Sequence, residues 1–143
     1  MISRWEPDQG SSLPRRLFLA FCGIITGDIA LALVLLWNSA PLGMLAFYML
    51  FSLAGWVIVG LPVALGVPPH FIGRMSWYWR ILVGGALGPL ALFLIFVLLF
   101  AAQGTLNKFS LDHTGGLWQL SVLTSATAFV VYAKLLDKDT ARL

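Results

Sequence analysis

One carboxylate stands alone inside a long apolar run. It is Asp28, in the stretch Leu17 to Trp37, LFLAFCGIITGDIALALVLLW. A carboxyl group so placed has three courses. It takes up a proton, it pairs with a cation or a hydrogen-bond donor, or it faces water, because a low dielectric penalises its charged form. The first course is the chemistry of a proton or cation carrier. The second is the chemistry of a tie between helices. No Lys or Arg lies level with Asp28 in any apolar stretch, so the expected partners are neutral donors. Counting along successive spans in alternate directions brings Trp56, the Gly88-Pro89 pair, Thr124, Ser125 and Thr127 to its depth. Trp56 offers an indole N–H away from the interfacial position that Trp favours. The hydroxyls offer further donors, although Ser and Thr also bond back to their own helix.

A second pattern concerns packing. Gly23-x-x-x-Gly27 and Gly84-x-x-x-Gly88 each place two glycines on one helix face. Without side chains, backbones approach closely enough for dispersion and Cα–H···O contacts. Packing within the chain is the expected use, and a face for a second copy is the alternative. Pro62 and Pro89 each remove a backbone donor, and Pro89 is expected to kink or loosen its helix.

Other chemistry finds no support. His70 and His113 fall on opposite sides of the expected membrane and cannot share a metal, and Asp112-His113 alone makes a poor site. The Ser and Thr hydroxyls near the last apolar stretch have no His or Lys base at their depth, so nucleophilic catalysis lacks an activator. Phosphate-binding glycine loops are absent. Cys22 is the sole cysteine, which excludes an intrachain disulfide. These readings predict no cofactor, no metal and no enzymatic activity.

The elements that must position Asp28 are read from four apolar stretches: Leu17–Trp37, Leu42 to about Leu65, Ile81–Ala102, and Leu117 to about Leu136. Each has about the 20 residues that an α-helix needs to cross roughly 30 Å of hydrocarbon. The runs are continuously apolar, unlike the alternating strands of a barrel. The twelve Leu, Ile, Phe and Val residues of the first stretch, each contributing about −0.3 to −0.6 kcal/mol, outweigh the cost of Asp28, about +2.5 to +3.5 kcal/mol. Composition agrees: 59% hydrophobic and 10% charged over 143 residues, with a mean hydropathy of +0.90. A soluble domain is nearer 25% charged. The net charge of +3 is spread over loop ends rather than gathered in a patch, which argues against nucleic acid.

The cations set the orientation. Arg4, Arg15 and Arg16 precede the first stretch, Arg74 and Arg80 lie between the second and third, and Lys134, Lys138 and Arg142 close the chain; only Lys108 falls on the other side. The expected fold is all-α: an integral membrane four-helix bundle, up-down-up-down, with both termini in the cytoplasm. Residues 1–16 read as a flexible tail and 17–143 as one membrane domain. The first stretch is too long for a cleaved leader and reads as an anchor. Asn38 to Pro41 is a tight outer turn that makes the first two helices antiparallel neighbours. The loop VPPHFIGRMSWYWR is expected on the membrane surface through Phe71, Ile72, Trp77, Tyr78 and Trp79.

In architecture the chain, although longer, is similar to small multidrug-resistance transporters, which work as dimers around one carboxylate in the first of four spans; in size and topology it is similar to four-span immunity proteins that block pore-forming toxins. Neither likeness extends to an alignable motif, so neither assigns a residue. The expected function is that of a non-enzymatic accessory subunit or protein-binding partner in a prokaryotic inner membrane, in contact with lipid and with a homo-oligomer or larger complex. The alternative is a dimeric proton- or cation-coupled transporter that uses Asp28.

Overall fold

The computed structural model describes residues 12–104 and 116–140, with side chains to 138. Every regular element among them is helical. We number them α1 (Leu13–Trp37), α2 (Leu42–Gly66), α3 (Pro69–Arg74), α4 (Trp77–Ala102) and α5 (Leu117–Thr140). The four longer helices are each long and apolar enough to cross a membrane.

Helix ends reach beyond the apolar runs. The first helix begins at Leu13, where the Ser12 carbonyl accepts from the Arg15 and Arg16 amides and Pro14 occupies the first turn, where its missing N–H costs nothing. Leu13 to Arg16 therefore belong to α1 rather than to the expected tail. Likewise α4 starts at Trp77, four residues before its apolar run. Hydropathy marks where a helix is apolar, whereas the backbone hydrogen bonds run on into its polar end. The expectations for Arg4, Lys108, Asp112, His113 and Arg142 fall outside the described residues.

The α1–α2 turn closes as a Schellman motif. Ser39 takes the left-handed conformation (φ 55°). The Ala40 amide bonds the Leu35 carbonyl at 2.9 Å, and the Ser39 amide that of Leu36 at 3.0 Å. These bonds satisfy carbonyls that a helix end otherwise leaves open. Pro41 then caps α2.

The two prolines behave differently. Before Pro62 the helix widens into one π-helical turn, Trp56–Gly60, closed by the Leu61 amide on the Trp56 carbonyl. A ring without an N–H crowds the carbonyl four residues earlier, and the wider turn relieves that conflict. Pro89 sits within α4, which remains α-helical throughout. The residue whose carbonyl it crowds is Gly85, which has no side chain to hinder a small tilt.

The last helix, α5, is the centre of the packing. Both glycine pairs grip it, from two sides. A Cβ added at Gly23 would lie 2.6 Å from the Ala128 carbonyl oxygen, and one at Gly27 would lie 2.6 Å from that of Thr124. One at Gly84 would lie 2.8 Å from Phe129 Cβ, and one at Gly88 would collide with the Ser121 carbonyl and the Ser125 hydroxyl. Rising numbers on α1 and α4 meet falling numbers on α5, so both pairs run antiparallel. Both glycine faces are thus occupied within the chain.

The second helix is held differently. Of its most apolar stretch 11% is buried, against 33%, 22% and 28% in α1, α4 and α5. Only Val59 and Ala64 are buried along it. At the end carrying Arg16, a cluster of Ala20, Ala64, Ile72, Tyr132, Ala133 and Leu136 joins α1, α2, α3 and α5. Ile72 is wholly buried there, a correction to its expected place on the surface, while Phe71, Trp77, Tyr78 and Trp79 are exposed.

Candidate functional site

Asp28 occupies the side of α1 turned towards α2. Its helix neighbours Gly27 and Leu31 are buried against the core, while Ile29 is 55% exposed. The carboxyl is half-buried, and the Ser52 side chain on α2 lies beside it. Its Oδ1 is sealed from solvent and has no hydrogen-bond partner. A buried acceptor left open costs about 1–3 kcal/mol.

The depth count placed Trp56 beside this carboxyl, but the indole has gone elsewhere. Its ring meets Phe21 edge to face at 6.1 Å, and its Nε1 has no acceptor. The register explains the difference. The tight turn fixes it, and Asp28 lies as far before Trp37 as Phe51 lies beyond Leu42. Counting from that turn, rather than between nominal span ends, finds Ser52, which the sequence reading missed.

The hydroxyls of α5 are also committed locally. Thr124 Oγ1 donates to the Leu120 carbonyl at 2.9 Å, Ser125 Oγ to that of Ser121 at 2.7 Å, and Thr127 Oγ1 to that of Leu123 at 2.8 Å. A helix in an apolar medium offers such carbonyls as the nearest acceptors. Thr124 is buried with its methyl against Gly27, and Ser125 meets the Gly88 face. Of the candidates, then, Asp28 gathers Ser52, while Thr124, Ser125, Gly23, Gly27, Gly84 and Gly88 form the packing seams of α5.

Between α2 and the other three long helices lies a cavity of about 150 Å³. Its wall is almost wholly apolar, and Asp28 does not line it. Trp56 and Tyr132 do, and the Tyr132 hydroxyl, like the Trp56 N–H, is buried without a partner.

A polar junction closes the end of the molecule near α3. Arg80 Nη1 donates to Asp137 Oδ2 at 2.5 Å, and its Nη2 reaches the Ile72 and Gly73 carbonyls at 3.2 Å each. Its Nε donates to the Met75 carbonyl at 3.1 Å. Arg16 Nη2 bonds the Val67 carbonyl at 2.5 Å. Two cations read in the sequence as orientation signals therefore also fasten this end, Arg16 tying α1 to the α2–α3 link and Arg80 tying α4 to α3 and α5. Arg15, Arg74, Lys134 and Lys138 stand near the same end.

These features define the class: a helical protein with four helices fit to span a membrane and one polar contact inside the first pair. No family model, no curated protein and no solved structure matches the chain.

Proposed function

We propose that this is a multi-pass membrane protein acting without catalysis, as an accessory subunit or protein-binding partner, and that α2 is the element that meets the partner. The single observation that carries this reading is the uneven burial of the four helices. Helices α1, α4 and α5 form a unit sealed by glycine seams. The fourth, α2, rests against that unit through a few side chains and the Asp28–Ser52 contact, with Phe47, Leu50, Leu53 and Val57 outward. Lipid covers such a face, and so does another helix, because lipid tails and Leu side chains are equally apolar.

The up-down-up-down arrangement with both termini in the cytoplasm belongs to the same proposal. It is supported by the cations at one end, Arg15, Arg16, Arg74, Arg80, Lys134 and Lys138, and by the Arg16 and Arg80 contacts that draw them together. A prokaryotic inner membrane is the expected setting.

The alternative, a dimeric carrier built on Asp28, draws on the open Oδ1. Against it stands the almost wholly apolar wall of the cavity, which Asp28 does not line. The test is purification of the chain from its native membrane in a mild detergent. A stable larger complex that dissociates in Leu53→Trp or Val57→Trp variants supports the accessory role. A chain that purifies without other proteins, and moves protons in vesicles only while Asp28 is intact, supports the carrier.

A further inference from the structure

We propose that the half-open cavity between α2 and the other long helices holds one acyl chain of a membrane phospholipid. The proposal rests on the membrane reading above and adds to it a defined site. Shape is the first argument. The wall runs from Ala20 to Leu31 on α1 and from Leu117 to Tyr132 on α5, which at 1.5 Å per helical residue is a length of about 16–22 Å. Gathered into one void, a volume of about 150 Å³ takes a benzene ring. Drawn out over that length, it is a narrow trench. Its width excludes a second helix, which is about 10–12 Å across. Its length fits an acyl chain, which spans one leaflet, about half of the roughly 30 Å of hydrocarbon.

The chemistry of the wall points the same way. No Lys, Arg, His, Asp or Glu lines it, so a charged group would be buried there without a counter-charge. Water needs two to four polar partners. The wall is almost wholly apolar, and the Ser121, Thr124 and Ser125 hydroxyls give their protons to carbonyls of their own helix. Left empty, the trench would deny its wall atoms their dispersion contacts. Entry is lateral. Helix α4 contributes no wall residue before Leu87, and the stretch Leu61–Gly66 of α2 packs on α1. The gap between that stretch and α4 is the mouth, and in a bilayer it meets acyl chains. None of the outward α2 residues Phe47, Leu50, Leu53 and Val57 lines the trench, so the site is separate from the face proposed to meet the partner.

Photolabelling tests the proposal. The full chain is reconstituted in nanodiscs of phosphatidylcholine that carries a diazirine midway along one acyl chain, then irradiated, and the adducts are mapped by peptide mass spectrometry. Adducts should fall on Ile24 and Leu92, which line the trench although they are only 7% and 6% exposed, and on the outward Leu98. Ile72 and Leu136, also aliphatic but wholly buried and off the wall, should take none. Val63→Phe and Leu87→Trp enlarge half-buried wall residues beside the mouth. Each should lose the Ile24 and Leu92 adducts and keep those at Leu98. Adducts at Leu98 with none at Ile24 or Leu92 overturn the acyl site and leave the membrane reading standing, whereas no adduct at any of the three overturns both. Adducts at Ile24 and Leu92 that survive both variants, or that are matched at Ile72 and Leu136, also overturn the acyl site.

Discussion

Ser52 on α2 faces Asp28 on α1, and this pair is a polar link between a firmly packed helix and a loosely packed one. The link should be measurable. A double-mutant cycle with Asp28→Asn and Ser52→Ala, read by unfolding in detergent, should give a coupling of about 0.6 kcal/mol and at most about 1.7. Asp28→Asn alone should fold, because the amide keeps the shape and an acceptor. Zero coupling would mean that the two side chains do not interact.

The glycine seams make a sharper contrast. Gly27→Leu should lower stability by about 2–3 kcal/mol, because its side chain would start against the Thr124 carbonyl. Gly88→Leu should be at least as severe. Ile29→Leu, at a position 55% exposed, should stay within about 0.5 kcal/mol, as substitutions away from such close contacts usually do. Equal tolerance of Gly27→Leu and Ile29→Leu would dissolve the α1–α5 seam.

At the α3 junction, Arg80 should matter more than its acid. Arg80→Met strips donors from the Ile72, Gly73 and Met75 carbonyls as well as from Asp137. It should cost about 2 kcal/mol, within the range for hydrogen bonds made by a charged group. Asp137→Asn should cost less than about 1 kcal/mol, because that carboxylate is 40% exposed and its ion pair is screened. Arg80→Lys should not rescue, since an ammonium cannot reproduce the fork. Amide exchange in α3 reports the same order, and a larger loss from Asp137→Asn would reverse the account of this junction.

Much of this architecture is legible in the residues. Continuous apolar runs locate four helices, and small residues at Gly23, Gly27, Gly84 and Gly88 announce a close approach. Which helix receives the glycines is not legible, because an x-x-x spacing names a face and no partner. The loose fit of α2 is hidden for a deeper reason: hydropathy scores Phe47 and Leu53 alike whether lipid or protein covers them. Ser52 was within reach through the tight turn at Asn38 to Pro41. The cavity was not, since it depends on Trp56 turning to Phe21, a choice of side-chain packing and not of pattern.

Orientation has its own test. Reporter fusions at Gly10 and Leu143 should report the cytoplasm, and one at Gln103 the opposite side. The proposed orientation rests on the grouping of Arg15, Arg16, Arg74, Arg80, Lys134 and Lys138 at one end. A cytoplasmic signal at Gln103 would overturn the arrangement.

The central claim is that α2 meets a protein partner. Photo-crosslinking in the native membrane tests it most directly, with a photoreactive amino acid at Leu53 on α2 and, for comparison, at Leu98 on α4, which are 48% and 57% exposed. The account predicts a discrete protein adduct from Leu53 and lipid adducts alone from Leu98. Lipid adducts alone from both positions would contradict it.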